Sequence, residues 1–212
     1  MSCQQCRGIE AEFDRKYARR SLKRYRKKGP AKTTRLLLHA IKAQGVEGAS
    51  LMDIGGGVGT IQHELLNAGV REVVNVEASP AFSETAREEA RRQGHEQAIK
   101  FYLGNFVELA EQLPASDIVT LDRVICCFDD MEELVGKSSH LAKKVYGVVF
   151  PQDTWWVRIG FYALNFFLKI LRREFRTFLH STQKVDELIR KAGLSPAYYQ
   201  TAGIWQVRVY SR

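Results

Sequence analysis

Leu51-Met52-Asp53-Ile54-Gly55-Gly56-Gly57-Val58-Gly59-Thr60 is the stretch on which the fold turns. An apolar strand runs straight into glycines at 55, 56, 57 and 59, and a helical pattern, Val58–Asn67, follows. Glycines at such a place let the backbone turn tightly and let a ligand approach the main chain, which side chains would block. Downstream the alternation repeats: Val73–Val76, Ile99–Leu103, Ile118–Leu121 and Val145–Phe150 read as buried strands, with helices such as Pro80–Gln93 between them. Parallel neighbours need a crossover between them, so this order predicts an α/β fold with a mostly parallel sheet covered on both faces. Ala197–Thr201 and Trp205–Tyr210 flank Ala202-Gly203 and read as an antiparallel hairpin closing one edge, which makes seven strands.

Upstream of this pattern the chain is basic. Residues 1 to 44 hold thirteen Lys or Arg against three acids, a net +10, and the rest of the chain carries −2 of the overall +8. Ile9, Phe13, Tyr17, Leu22 and Tyr25 recur at roughly helical spacing among these charges until Gly29-Pro30, which predicts one basic amphipathic helix over 9–28. A second helix is expected from Ala31 to Ala43. Residues 1–45 are thus expected to form an N-terminal helical cap on a domain spanning 46–212. Its charge suits RNA, an anionic membrane surface or an acidic substrate, and equally a plain solvated face.

With 212 residues, 45% of them hydrophobic and 26% charged, the chain is sized and composed like a globular domain and unlike a disordered or fibrous one. The start, Met-Ser-Cys-Gln-Gln-Cys, lacks the apolar run of a secretory signal, and Ile159–Leu168 is too short to span a membrane, so a cytoplasmic location is expected. In that reducing setting Cys3, Cys6, Cys126 and Cys127 read as thiols or metal ligands rather than disulfides.

Trp155 to Arg173 breaks the rhythm. It is apolar all round, which predicts a covered helix: core packing, a lid (residues 153–180) over an apolar substrate, or peripheral membrane contact.

The chemistry centres on acids at strand ends. Glu77 ends the second strand twenty-two residues after Gly55, where an acid can accept hydrogen bonds from ribose hydroxyls. The glycines do not follow the G-x-G-x-x-G spacing that seats a pyrophosphate, and Asp53 stands two residues before the first of them, which suits a cationic cofactor without phosphate. Here the residues resemble the class I S-adenosylmethionine-dependent methyltransferases: Asp53-x-Gly55-x-Gly57-x-Gly59 is similar to their first motif and Val74-Asn75-Val76-Glu77 to their second. The likeness continues through Phe101–Phe106, with Asn105 where the family often has Asp for the adenine amino group, and through Ser116–Arg123, whose end should lie beside the sulfonium. It implies a Rossmann-like fold and S-adenosylmethionine as cofactor.

Within the class the chain resembles the magnesium-protoporphyrin O-methyltransferase-like group in Asp122–Phe128 and in Thr177–His180 with the helix after it. The group's His falls on Cys127, where a thiol replaces an imidazole only if its pKa is lowered.

The expected cofactor-binding residues are Tyr17, Tyr25, Asp53, Gly55, Gly57, Glu77, Ala78, Asn105, Phe106 and Asp122, with His180 and Cys127 as the catalytic candidates. Tyr17 and Tyr25, with Arg26, would close over the cofactor from the basic helix, although helix packing accounts for them nearly as well. His180 reads equally as an acceptor-orienting group and as a structural, hydrogen-bonded histidine, and Arg123 and Arg158 are further candidates for holding an acidic acceptor.

The expected reaction is methylation of a small, apolar or carboxylate-bearing molecule. The rivals are an RNA methyltransferase gripping phosphates through the basic segment and a non-catalytic sensor binding metal or redox signals through its four cysteines. RNA is disfavoured by the lack of a recognisable nucleic-acid module or an Asn-Pro-Pro-Tyr type of run, and no metal is assigned to the site.

Overall fold

The computed structural model describes residues 4–212, with side chains from residue 8 onward. The elements run α1 (Gln4–Glu12), α2 (Arg15–Lys28), α3 (Lys32–Lys42), β1 (Ser50–Ile54), α4 (Thr60–Leu66), β2 (Glu72–Glu77), α5 (Pro80–Gln93), β3 (Ile99–Leu103), α6 (Phe106–Leu109), β4 (Ser116–Asp122), α7 (Met131–His140), β5 (Ala142–Pro151), α8 (Trp155–Ile170), α9 (Thr182–Lys191), β6 (Ser195–Ala202) and β7 (Trp205–Ser211). The sheet has the order β3-β2-β1-β4-β5-β7-β6. Its first five strands are parallel, and β7 runs antiparallel to both β5 and β6. The fold is the seven-stranded, Rossmann-like one that the motifs imply.

Strand residues alternate between faces, and this splits the core in two. Met52, Ile54, Val74 and Val76 pack on one side with Leu134 and Val135 of α7 and Val185 and Ile189 of α9. Leu51, Val73 and Ile118 pack on the other with Leu37 and Ile41 of α3 and Ile61 and Leu65 of α4. Full burial of a side chain such as Leu37 or Ile41 contributes about 1.5–3 kcal/mol.

The same alternation has a polar consequence. Asp53 pairs in register with Asn75 on β2 and Thr120 on β4, so the three stand side by side on the α3/α4 face, where Gln62 of α4 closes over them, its Oε1 accepting from Asn75 Nδ2 at 3.0 Å.

Two expectations need correction. The basic stretch is two helices: Asp14 leaves helical geometry and its carboxylate accepts a hydrogen bond from Tyr17 N at 2.8 Å, starting α2 afresh. Hydrophobic periodicity runs across this break, because Phe13 and Ala18 both face the body of the protein; Ala18 and Leu22 pack with Val58 and Phe82. Two basic residues of α2 also pair with acids on α5: Arg15 with Glu84, and Arg26 with Glu88 and Glu89. The second correction concerns α8, which forms where the apolar run predicts but is not covered. Among its residues only Val157 is buried.

Candidate active site

A cleft opens at the carboxyl ends of β1, β2, β3 and β4. This is where the strand order reverses, since β2 and β3 lie to one side of β1 and β4 to the other. Gly55 of the glycine-rich loop lines it. Gly55 is held at φ 63, a left-handed conformation that glycine adopts without steric cost, and a Cβ there would stand 2.5 Å from Cγ2 of Val124.

Each neighbouring strand end contributes a polar group. The Glu77 carboxylate accepts from Gly57 N through Oε2 and from Ser79 N through Oε1, both at 2.9 Å, so it ties the glycine loop to the start of α5. Asn105 caps α6, its Oδ1 accepting from Val107 N at 3.1 Å. Asp122 accepts from Thr34 Oγ1 at 2.5 Å and pairs with Arg123 Nε at 3.0 Å. Arg123 itself sits at φ 63, an uncommon conformation for a residue with a Cβ. Backbone strain of this kind concentrates at functional sites.

Three carboxylates therefore converge. Asp53 lies beneath the loop, fully enclosed, with Oδ1 accepting from Thr120 Oγ1 at 2.7 Å and Oδ2 lacking a partner among the described residues. Burial, and then the charges of Asp122 and Glu77, push its pKa up to about 7. Burial also raises Glu77, against the pull of its backbone N–H donors. Among the described residues Arg123 is the single Lys or Arg in the cleft lining. Such a site repels an anionic phosphate and is stabilised by a bound cation.

Of the residues expected at the cofactor, Gly55, Glu77, Ala78, Asn105, Phe106 and Asp122 line the cleft, and Cys127 lines it opposite. Asp53 and Gly57 stand behind the surface and act on the loop rather than on the cleft space. The two tyrosines do not line it. Tyr17 is half-exposed and stacks with Phe13 and Phe82, at 5.8 and 5.7 Å between ring centroids. Tyr25 turns to Glu64, 3.3 Å from its hydroxyl, and burial lifts its pKa to about 12. The cap reaches the cleft through Ile9 and Phe13 instead. Both were visible as apolar positions of the basic helix, but the break at Asp14, which aims them, was not.

His180 also lies outside the cleft lining. Its Nε2 is 2.8 Å from the Phe128 carbonyl, and Phe178 N donates to the Cys126 carbonyl at 2.8 Å, so this segment braces the back of the 3-10 turn Ile125–Cys127. Burial lowers the His180 pKa, favouring the neutral ring. Within that turn the Cys126 and Cys127 sulfurs are 3.9 Å apart, and of the two residues Cys127 lines the cleft. Adjacent residues of a strand would point to opposite faces; the 3-10 turn brings the two sulfurs to the same side. Hydrogen bonding from Cys126 draws the Cys127 thiol pKa down, while Cys126 is raised. Cys3 lies outside the described residues, as does the side chain of Cys6. Among the described residues no group of three or more His, Cys, Asp or Glu is placed to hold a metal ion. Arg158, on α8, is likewise absent from the cleft lining.

Residues 52–145 match the family described as methyltransferase domain. Comparison with curated proteins finds no match. Among solved structures the chain is similar to magnesium protoporphyrin IX methyltransferase from Synechocystis PCC 6803 with bound SAH, at 16% identity over 85% of this chain and 81% of that one, with a TM-score of 0.67. It is similar also to a chain of the complex with the Haloferax volcanii Trm112 methyltransferase activator, at 16% identity, 96% of each chain and a TM-score of 0.68. An O-methyltransferase family protein from Burkholderia thailandensis matches at 19% identity, over 84% of this chain and 56% of that one, with a TM-score of 0.65. At these identities the likeness is one of fold. The match of residues 52–145 to a methyltransferase domain, the strand order and the acid-lined glycine cleft agree on a methyl-transferring enzyme that uses S-adenosylmethionine.

Proposed function

We propose that the methyl acceptor is a small molecule, apolar or bearing a carboxylate, bound between the cap and the 123–128 turn. The observation behind this reading is the character of the cleft wall. Ile9 and Phe13 of the cap face Val124, Phe128 and Leu134 across the cleft, with Arg123 as the one cation there among the described residues. An apolar wall with few polar groups suits a small-molecule site, and the cleft must also admit the cofactor.

In this arrangement Glu77 receives the ribose hydroxyls on lone pairs not used by Gly57 and Ser79, and Asn105 and Phe106 flank the adenine. The main chain at Gly55 admits close approach, with Asp53 supporting the loop and its negative potential from below. S-adenosylmethionine, when bound, supplies a methyl group on a sulfonium, whose neutral thioether leaves without needing a proton. The protein's own work is then alignment and exclusion of water. A carboxylate acceptor is already ionised at neutral pH and calls for no base. Arg123 can orient it by exchanging part of its pairing with Asp122. Cys127 faces the acceptor side, and we assign it contact with the acceptor rather than proton removal. His180 becomes a positioning residue that holds Phe128 and the turn.

The test is transfer of label from methyl-labelled S-adenosylmethionine into size-fractionated cell extract, with magnesium protoporphyrin as a parallel acceptor. Label in the low-mass, organic-soluble fraction or in the porphyrin is expected. Label in RNA would overturn the acceptor class and make the basic helix α2 the substrate grip.

A further inference from the structure

Helix α8 is the largest unexplained surface of the molecule. Its inward face is narrow: Val157 is buried, Phe161 and Leu168 are half-buried, and Asn165 hydrogen-bonds Thr177 through both amide atoms. Outward, Trp155, Ile159, Tyr162, Phe166 and Ile170 form a stripe at helical spacing, with Trp155 75% and Tyr162 71% exposed. Trp156, Phe167 and Leu171 widen it. A contiguous exposed apolar patch of this size marks an interaction site.

We propose that α8 docks the protein on an anionic lipid surface, lying in the plane of the membrane interface with its outward stripe among the acyl chains. Three observations select lipid over a protein groove. The exposed apolar sector spans two adjacent rows of side chains rather than the single row that a groove holds. It is rich in Trp, Tyr and Phe, the residues that settle at the headgroup boundary. The charge around it is of one sign: Arg158 and Lys169 stand along one edge of the stripe, Arg172 follows its end, and no Asp or Glu occurs from 154 to 173. Long cationic side chains at such an edge reach anionic headgroups while their stems stay with the apolar face.

The helix has 16 residues, about 24 Å of length, and among the described residues no helix is long and apolar enough to cross a membrane. Lying in the interface is the geometry left to it. The basic cap adjoins this surface. Gly8 packs so closely on Glu174 and Phe175 that a Cβ would meet Phe175 N at 2.9 Å, Phe13 stacks edge-on against Phe175 at 5.6 Å, and Arg173 pairs with Glu12 at 3.9 Å. The segment following α8 is thus attached to the cap segment that lines the cleft.

The chain carries its own probes, because Trp155 and Trp156 lie on α8 and the third tryptophan, Trp205, can be replaced by Phe on β7. The W205F protein is titrated with vesicles of phosphatidylcholine containing phosphatidylglycerol and with vesicles of phosphatidylcholine alone, following emission and flotation. A blue shift and flotation with the anionic vesicles are expected, weakening with added salt. Tyr162→Ser with Phe166→Ser should lower partitioning by about tenfold or more. The thermal midpoint and S-adenosylmethionine affinity should not move, because both side chains are exposed. The proposal is overturned if the protein ignores both vesicle types, or if the double variant partitions as the parent does. It is overturned too if sedimentation shows a dimer that the double variant breaks, which would give the stripe to a second copy of the chain. None of these outcomes depends on which acceptor is methylated.

Discussion

Replacing Asp53 by Asn should make the cofactor-free protein more stable at pH 8 and no more stable at pH 4. The carboxyl is enclosed beneath the glycine loop with one oxygen bonded by Thr120 and the other lacking a partner among the described residues, and it faces the charges of Asp122 and Glu77. Its pKa therefore rises from 3.8 to about 7. The sign follows from proton counting. Between about pH 4 and pH 7 the folded chain keeps a proton that the unfolded chain has lost, so stability falls as pH rises through this window and levels off above it. The full difference corresponds to roughly 4 kcal/mol. Asn keeps an oxygen for the Thr120 hydroxyl but buries an amide donor, at a cost of about 1–3 kcal/mol. The net gain at pH 8 should then be about 1–3 kcal/mol, reversing in sign towards pH 4. Urea unfolding of both proteins across this range measures it. A difference that stays constant with pH would refute the reasoning, because it would mean that the carboxyl titrates at the same pH folded and unfolded. At pH 8, where the carboxyl is ionised, the variant should also bind S-adenosylmethionine more weakly, since the negative charge under the loop is gone.

Glu77→Gln should weaken S-adenosylmethionine binding about tenfold to a hundredfold, the worth of about 1.5–3 kcal/mol for charged hydrogen bonds, as read by calorimetric titration; unchanged affinity would remove Glu77 from the ribose. Gly55→Ala forces a Cβ to within 2.5 Å of Val124 Cγ2 at φ 63, and should destabilise the fold by about 1–3 kcal/mol. Val124→Ala should restore part of that loss. His180→Ala should lower stability by about 1 kcal/mol through its bond to Phe128 while leaving cofactor affinity in place. A fall in kcat of about a hundredfold or more with KM unchanged would instead return His180 to a direct role in the chemistry.

The strands were legible because burial on both faces leaves continuous apolar runs, and because the crossover helices between them carry a different period. Thus Leu51–Ile54 and Val73–Val76 read as β1 and β2 to within a residue or two. The acids were legible for a related reason: Glu77 and Asp122 follow or end such a run and Asp53 lies one residue before the end of another, so the positions of the strands also place the acids. Legibility stopped where a partner lies far along the chain. Tyr25 looked free to close on the cofactor because Glu64, 39 residues away, is invisible from α2. His180 looked like a group at the mouth of the site because the carbonyl it bonds, on Phe128, is 52 residues earlier. The break at Asp14 was hidden differently, since a cap changes the direction of the chain without interrupting its apolar spacing.

The role of Asp53 shows how far a motif can be read without register. Spacing alone places an acid two residues before the first glycine, and that suffices to favour a cationic cofactor over a pyrophosphate. It does not say whether the carboxylate faces the cofactor or the interior. Pairing of Asp53 with Asn75 and Thr120 answers this, because one residue of slip would have turned the side chain to the opposite face, towards α7 and α9. Held on the α4 side, the acid meets the loop from beneath, and its charge reaches the cleft through the backbone of Gly55 to Gly57. Glu77 grips the same loop from the neighbouring strand through Gly57 N. One acid thus sets the potential under the loop and the other its position, so substitutions at 53 should be read in pH dependence and substitutions at 77 in affinity.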